Sequence, residues 1–403
     1  MATTFSTSSG ARCAIDPNGC GGVTVMIGVA TGSRHERSDE AGIAHLLEHV
    51  LFRGSRKFKN QASIAKAFAD VGAIFNAWTS HDMTVYHARA PASSLNRVLF
   101  ILSDMVLRPE LRDTDIAAEI DIVCEEISRN KDMPSRVAYQ GVMRAAFDRH
   151  PLGREVAATE TQVRALTSEL VRDFHRFHYA PEKLLISVAG SGIDVAETRR
   201  EIERCLGQRR AFGRSAVRPA LAMSAPIFHH KNVYRGVRPS MSQTQIAIAY
   251  KSLARPHSEA AAMVACCALG GHMNSRLFLA LRERENLVYS VSAGAHVFED
   301  AALAVVSMGV DPSNVDRALD ICRKEVRVPI TTEEMMVAKR MIDSQLVLSE
   351  GSETRARMAI ESMGAGMSAR SLQDQREAVS RVELEDVLRS VDWTDYALSS
   401  VGP

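Results

Sequence analysis

The stretch GIAHLLEHVLF, residues Gly42–Phe52, decides how the rest of the sequence is interpreted. Its apolar residues recur at helical spacing, which predicts a helix from about Ile43 to Phe52. Positions i, i+3 and i+4 of a helix share one face, so His45, Glu48 and His49 project together. Two imidazoles one turn apart can bind a single Zn²⁺, and a carboxylate beside them can take a proton from the water that this metal activates.

The order His-x-x-Glu-His is that of the inverted zinc-peptidase motif. With 13 His and 48 acidic residues among 403 positions, chance gives this order in about one chain in twenty, so the motif alone is moderately specific. The alternative is two partly buried histidines at a helix end, with no metal. A third protein ligand elsewhere in the chain would favour the metal site.

A second predicted helix, about Thr114–Arg129, offers candidate carboxylates. Glu119 and Glu126 are seven residues apart, about two helical turns, and so face the same way. Glu126 is therefore a candidate third ligand, and Glu119 is placed to hold a histidine N–H from behind. Glu125 points elsewhere and is expected in solvent. From the residues alone, two carboxylates on an amphipathic helix are more often simply a solvated face.

The composition excludes several other classes of protein. The chain is 46% hydrophobic and 24% charged, and its 49 basic and 48 acidic side chains leave a net charge of +1. This balance indicates neither nucleic acid nor an anionic membrane surface as a partner. No run reaches 18 apolar residues, so no transmembrane helix is predicted. The seven cysteines form no CxxC pair and the N-terminus resembles no export signal, which predicts a reducing, cytoplasmic location.

The two halves of the sequence repeat one order of strands and helices. Alternating or β-branched apolar runs predict strands over 22–30, 75–89 (two strands), 184–190, 243–250, 288–297 and 301–310. Apolar residues at helical spacing predict further helices over 63–71, 95–106, 166–179, 258–269, 275–284, 315–326 and 331–346. A repeat of about 200 residues indicates a duplicated domain rather than a solenoid.

This order predicts an α+β fold of two homologous domains, each a mostly antiparallel sheet packed with helices. The expected boundaries are a zinc-bearing N-terminal domain at 1–212, a linker at 213–228 and a C-terminal support domain at 229–403. The C-terminal half has no HxxEH, because its equivalent helix reads AAMVACCALGG.

The run GIAHLLEHVLFRGSRKF, from Gly42, resembles the active-site helix of the M16 metallopeptidases, the family of pitrilysin and the mitochondrial processing peptidase. In that family the second Glu of an E-x6-E pattern is the third zinc ligand. Glu126 lies 77 residues after His49 and seven after Glu119. The resemblance therefore implies one Zn²⁺ per chain, bound by His45, His49 and Glu126.

The resemblance assigns further roles in the first half. It implies that Glu48 is the general base and that Glu119 supports catalysis from beside a histidine ligand. FNAWTSHDMTVY, from Phe75 to Tyr86, is similar to the family's edge strand, which pairs with the substrate backbone. Substrate contacts are accordingly expected along that strand, at the following residues: Asn76, Ala77 and Trp78.

The resemblance continues in the second half, in GGHMNSRLFLALRERENLVYSVSAG, and so covers nearly the whole chain. Arg282 and Tyr289 match the family's Arg and Tyr, which bind the substrate carbonyl. A guanidinium and a phenol are suitable donors to the oxyanion that develops when water attacks a peptide bond. His272 interrupts the glycine-rich turn and could reshape either the substrate chamber or a partner surface.

The resemblance implies the LuxS/MPP-like metallohydrolase fold and a zinc-dependent endopeptidase that cleaves extended peptides in a chamber between domains. Two-domain chains of this family usually pair, as a homodimer or as a heterodimer with a second M16-like chain. The alternative function is a non-catalytic structural or adaptor subunit of such a complex. Such subunits typically lose one of the His or Glu residues of the site, and this chain keeps them all.

Overall fold

The computed structural model describes residues 2–19, 21–207, 225–253 and 259–403. Two compact units are found, and each is assembled from three separate stretches of sequence. The first unit takes its described residues from 1–127, 155–223 and 349–373, and the second from 128–154, 224–348 and 374–403. Most of the predicted linker, 213–224, lies outside the described residues. The predicted domains at 1–212 and 229–403 stay a prediction.

The described residues form strands and helices in mixed order. The strands are β1 (Thr3–Ser6), β2 (Arg12–Asp16), β3 (Val23–Val29), β4 (Ile74–Thr79), β5 (Thr84–Ala90), β6 (Leu184–Gly190), β7 (Val233–Val237), β8 (Thr244–Ser252), β9 (Val288–Val297), β10 (Ala302–Val310) and β11 (Val391–Gly402). The helices of the first half are α1 (Ile43–Val50), α2 (Gln61–Ala69), α3 (Leu95–Leu107), α4 (Asp113–Lys131), α5 (Pro134–Phe147), α6 (Glu160–Arg164), α7 (Ser168–His178) and α8 (Val195–Gly207). Those of the second half are α9 (Glu259–Gly270), α10 (Arg276–Phe278), α11 (Val315–Arg327), α12 (Thr332–Leu348), α13 (Ser352–Gly364), α14 (Leu372–Arg381) and α15 (Leu384–Arg389).

The sheet of the first unit has the strand order β1-β2-β6-β3-β5-β4. Strands β2 and β6 are parallel, and the other neighbours pair antiparallel. β3 and β6 are buried along their whole length, which their nearly continuous apolar runs explain. β4 pairs with β5 alone within the described residues, so its other edge is open.

Helices cover both faces of this sheet. One face carries the main core, to which α1 and α3 contribute. The other face carries α13, whose Ile360 packs with Met26 and Leu185 of the sheet. At Gly28 of β3 an added Cβ would lie 2.9 Å from Ile360 Cδ1, so this close approach of strand and helix depends on glycine. A helix from the C-terminal half of the sequence thus completes the first unit.

The sheet of the second unit has the strand order β7-β11-β8-β10-β9, with β7 and β11 parallel and the other pairs antiparallel. Helices α9 and α12 belong to the core on one face. The other face is covered by α5, which comes from the first half of the sequence. Gly141 of α5 lies so close to the sheet that an added Cβ would be 2.3 Å from Tyr234 Cδ1.

The predicted fold class is confirmed: both units are mostly antiparallel sheets packed with helices. The strands β1, β2, β7 and β11 were not predicted from the sequence. β11 is interrupted by a bulge between Asp392 and Tyr396, which breaks the alternation that would have indicated a strand. Among the described residues, no helix combines the length and the apolar character needed to cross a membrane.

Candidate metal centre

The N-terminus of α1 is fixed by a glycine and a buried carboxylate. Gly42 has φ +88°, and an added Cβ there would lie 3.0 Å from the carbonyl oxygen of Ala157. The Glu36 carboxylate accepts hydrogen bonds from the N–H groups of Gly42 (2.8 Å) and Ala44 (2.9 Å). A negative charge at this end also interacts favourably with the helix dipole. Helix α1 therefore starts at a defined residue, which sets where its histidines point.

Three side chains from α1 and α4 converge. His45 Nε2 lies 3.7 Å from Glu126 Oε2, and His49 Nε2 lies 3.4 Å from the same oxygen. One donor atom from each residue falls within 4.8 Å of the other two. Two imidazoles and one carboxylate form a donor set suited to zinc, with one position left for a fourth ligand. The three residues proposed from sequence spacing could therefore hold a metal ion.

Glu119 lies behind His49, as its position on α4 predicts. Its Oε2 is 3.2 Å from His49 Nδ1, and its Oε1 accepts a hydrogen bond from Arg53 Nε. Burial raises the pKa of the Glu119 carboxyl, but its hydrogen bonds to His49 and Arg53 outweigh burial and lower it. Glu119 is thus an anion that orients the His49 imidazole so that its Nε2 points toward the Glu126 carboxylate.

The charge state of His49 without metal follows from the same contacts. Burial alone would lower the pKa of this imidazole, but hydrogen bonds to Glu119 and Glu126 raise it to about 9. Nearby Glu48 acts in the same direction. Without metal, His49 is therefore protonated at neutral pH.

Glu48 accepts a hydrogen bond from a strand residue that no sequence pattern had indicated. The Thr79 hydroxyl, at the end of β4, donates to Glu48 Oε2 at 2.5 Å. Burial raises the pKa of the Glu48 carboxyl, the Thr79 hydrogen bond and His49 lower it, and Glu126 raises it, with a net increase. A carboxylate with an elevated pKa is suited to accept a proton during catalysis.

The residues expected to contact substrate lie on the open edge strand β4. Asn76 is exposed, and Ala77 and Trp78 are half-buried. Asn76 Oδ1 accepts a hydrogen bond from the Ala77 N–H at 2.9 Å. The Trp78 ring is covered by the Arg357 guanidinium of α13, whose Cζ is 4.0 Å from the ring centroid.

Arg282 and Tyr289 lie in the second unit and contact each other. Arg282 Nη1 donates to the carbonyl oxygen of Tyr289 at 2.9 Å, and its Cζ lies 5.0 Å from the Tyr289 ring centroid. Arg282 belongs to a π-helical segment, Leu279–Arg284, a geometry often found at functional sites. Tyr289 is 77% exposed, which is unusual for a large aromatic side chain.

His272 lines a cavity of about 480 Å³ in the second unit, together with Arg276 and Leu279. Its Nδ1 accepts a hydrogen bond from the Asn274 N–H at 3.2 Å, which keeps the glycine-rich turn closed. Burial lowers the pKa of His272, so the imidazole is neutral at neutral pH. Whether it shapes a substrate chamber or a partner surface stays a prediction.

Sequence reasoning missed two contacts of the site. Arg53 is four residues after His49, a spacing that could have indicated a neighbour on the same face. Thr79 carries no local signal, because its position depends on the pairing of β4 with β5. A hydrogen bond between a strand residue and a helix residue, such as that from Thr79 to Glu48, depends on tertiary packing.

Comparison with known protein families gives two matches along the chain. Residues 20–160 match the model described as "Insulinase (Peptidase family M16)", and residues 165–331 match that described as "Peptidase M16 inactive domain". The first match contains the converging histidines and Glu126. The second contains Arg282 and Tyr289.

Curated relatives and solved structures agree with these matches. An uncharacterized zinc protease of Bacillus subtilis is 27% identical, covering 94% of this chain and 93% of the relative. An uncharacterized zinc protease of Streptomyces coelicolor is 33% identical, covering 75% of this chain and 66% of the relative. A protease from Helicobacter pylori has a similar structure, with a TM-score of 0.91, 18% identity and coverage of 100% and 99% of the two chains. The chain belongs to the M16 peptidase family.

Proposed function

We propose that this protein is a zinc-dependent endopeptidase that binds its peptide substrate in extended form. The observation that supports this most directly is the convergence of His45, His49 and Glu126 beside the Glu48 carboxylate. The non-catalytic adaptor function has less support, because such subunits typically lose one of the His or Glu residues of the site and this chain keeps them all.

The residues have separable roles in this proposal. His45, His49 and Glu126 would hold the metal, which when bound supplies Lewis acidity that lowers the pKa of water and polarises a carbonyl. Glu48 accepts the proton from the attacking water and passes it to the departing amine. Thr79 orients the Glu48 carboxylate through its hydroxyl.

The open edge of β4 offers a place for the peptide backbone. Ser80 N–H donates to Met83 O at 2.8 Å, which makes this a hydrogen-bonded pair of the β4–β5 hairpin. Such pairs alternate along an antiparallel ladder, so the backbone groups of Phe75, Ala77 and Thr79 point away from β5. A peptide added as a strand would bind these groups, and would displace the Asn76 side chain from the Ala77 N–H.

The side chains of an added strand would face two different surroundings. On one face lie Phe75 and Ala77, which pack with the main core. On the other lie the exposed Asn76 and the Trp78 ring, held under Arg357. Peptide selectivity is therefore expected to depend on Trp78, while Ala77 contributes backbone hydrogen bonds only.

The function is tested by incubating the zinc-loaded protein with a mixture of unstructured peptides and identifying products by mass spectrometry. We expect internal cleavages that a chelator abolishes and added zinc restores. Absence of cleavage in both the purified chain and its native complex would favour the adaptor function. A homodimer or a heterodimer with a second M16-like chain is proposed as the working assembly, in the cytoplasm.

Glu126→Gln should greatly weaken zinc retention, because the third ligand loses its charge while its size is kept. Glu125→Gln is a matched control, since Glu125 is the exposed neighbour of Glu126 on the same helix. Metal analysis after dialysis should give one zinc per chain for the control and far less for Glu126→Gln. Full zinc in Glu126→Gln would move the ligand role to another carboxylate.

Zinc affinity should rise with pH, because the metal binds only the deprotonated imidazole of His49. Since the pKa of metal-free His49 is raised to about 9, zinc binding at pH 7 must displace one proton. This site alone gives about a tenfold gain in affinity per pH unit below that value. Competition with a chelator of known proton affinity, between pH 6 and 8, measures this pH dependence of the zinc affinity. Glu119→Gln should flatten the dependence, because it removes a contact that favours the protonated imidazole.

A further inference from the structure

A short buried segment, Gly32–Glu36, contacts both the metal-binding helix and the hairpin that carries the edge strand. It lies in the connection between β3 and α1. The Arg34 side chain is wholly buried, and Glu36 is 1% exposed. Buried charges are costly unless they are paired and hydrogen-bonded, so their partners indicate what the segment does. We call residues 32–36 the connector.

The connector binds the tip of the β4–β5 hairpin through its backbone and one ion pair. Ser33 N–H donates to Ser80 O, and Arg34 N–H donates to His81 O, both at 3.0 Å. Arg34 Nη1 also donates to Asp82 Oδ1 at 2.9 Å. These three contacts hold consecutive residues of the hairpin tip, immediately after Thr79.

The approach of the connector to the hairpin depends on Gly32. An added Cβ at Gly32 would lie 2.3 Å from Ser80 O and 2.6 Å from His81 O. The turn is closed internally as well, since the Gly32 N–H donates to His35 Nδ1 at 3.1 Å. The backbone is thus pressed against the hairpin with no room for a side chain.

The other end of the connector binds α1. The Glu36 carboxylate accepts the N–H groups of Gly42 and Ala44 at the start of the helix that carries His45. Only His35 separates Glu36 from Arg34 in the chain. The connector therefore contacts both the hairpin tip and the metal-binding helix within five residues.

We propose that Arg34 and Glu36 are positioning residues, which fix the edge strand relative to the metal-binding helix so that Thr79 reaches the Glu48 carboxylate. This inference rests on the proposed function. Neither residue is assigned contact with substrate or metal. The connector acts through Thr79, which directly precedes the held residues and whose hydroxyl donates to Glu48.

The test is a double-mutant cycle between Asp82 and Thr79. Asp82→Ala removes the ion pair, and a displacement of about 1 Å at a catalytic group can cost about 10²-fold, so we expect kcat to fall about 10- to 100-fold. The change in KM should be smaller, and zinc content unchanged. Asp82→Asn keeps an oxygen for Arg34 and should recover most of the kcat. In a Thr79→Val background, Asp82→Ala should add little, because Thr79 already carries the effect.

Independent effects of the two substitutions would overturn the proposal, as would a wild-type kcat in Asp82→Ala. Should Asp82→Ala fold poorly because the buried Arg34 loses this carboxylate, the double variant Arg34→Met/Asp82→Ala removes both charges and takes its place in the cycle. Asp70→Ala is the matched control, because it breaks the exposed Lys66–Asp70 ion pair of the same unit and should leave kcat unchanged.

A second readout does not need peptidase activity. The chain has two tryptophans, so Trp393→Phe leaves Trp78 of the hairpin as the sole tryptophan, which is excited selectively over tyrosine. Acrylamide quenching of Trp78 should increase in Asp82→Ala and stay unchanged in Asp70→Ala. If the wild-type protein is inactive but shows this quenching pattern, the proposed function is refuted and the positioning role of the connector is supported. Unchanged quenching in Asp82→Ala would refute the positioning role of the connector.

Discussion

The Glu48→Gln protein should bind zinc like the wild type and hydrolyse peptides at least about 100-fold more slowly. Glu48 lies between the two histidines on α1 but is outside the group of three side chains that could hold the metal. Glutamine keeps the size of the side chain and can accept the Thr79 hydrogen bond, but it cannot accept a proton from water. Loss of a general base typically costs about 10²–10⁴-fold in rate.

Two measurements are needed to interpret Glu48→Gln. Zinc content shows whether the side chain is structural, and single-turnover kinetics on a defined peptide show whether the chemical step has slowed. Glu125→Gln again serves as the charge-matched control, because that side chain is exposed on α4. Cleavage by Glu48→Gln at more than a few per cent of the control rate would assign the base elsewhere. Loss of zinc would make Glu48 a structural residue.

Much of the fold is predictable because strands such as β3 and β6 are nearly continuous apolar runs and helices such as α3 have clear periodicity. Two helices, α5 and α13, could not be assigned to a sheet in the same way. α5 and α13 each pack on the sheet of the other half of the sequence, and helical periodicity does not indicate which sheet a helix covers. Only their tertiary contacts show that each unit takes a helix from the other half of the sequence.

The candidate metal centre is predictable to a similar extent. His45, Glu48 and His49 share a helix face by local geometry, and the two helical turns between Glu119 and Glu126 are equally local. The association of α1 with α4 is not local, and neither is the hydrogen bond from Thr79 to Glu48. Arg34 and Glu36 show the same limit, since charged residues in a polar turn predict exposure and the structure buries both.

Tyr289→Phe should lower kcat by about 10²–10³-fold while zinc content and thermal stability stay at wild-type values. This follows if Tyr289 and Arg282 donate to the developing oxyanion, a role proposed for them from the family resemblance. Removal of one such donor typically costs about 3–4 kcal/mol in the transition state. If Tyr289 has no such role, its substitution should change the free energy by less than about 0.5 kcal/mol, as is typical of an exposed position.

Tyr289→Phe is the more informative of the two substitutions, because it deletes one hydroxyl and keeps the ring. Arg282→Ala also removes the hydrogen bond to the Tyr289 carbonyl and the stacking on its ring, so it can act through local structure.

Tyr396→Phe is a matched control for Tyr289→Phe. Tyr396 lies in the same unit, with the Arg323 guanidinium 5.1 Å from its ring centroid, against 5.0 Å for Arg282 and Tyr289. An arginine stacked on a tyrosine is therefore present in both places, and only one pair is proposed to meet substrate. A large loss in Tyr289→Phe alone supports a catalytic role for the second unit. Near-wild-type kcat in Tyr289→Phe and Arg282→Ala would confine catalysis to the first unit, with the second unit acting in substrate binding or assembly.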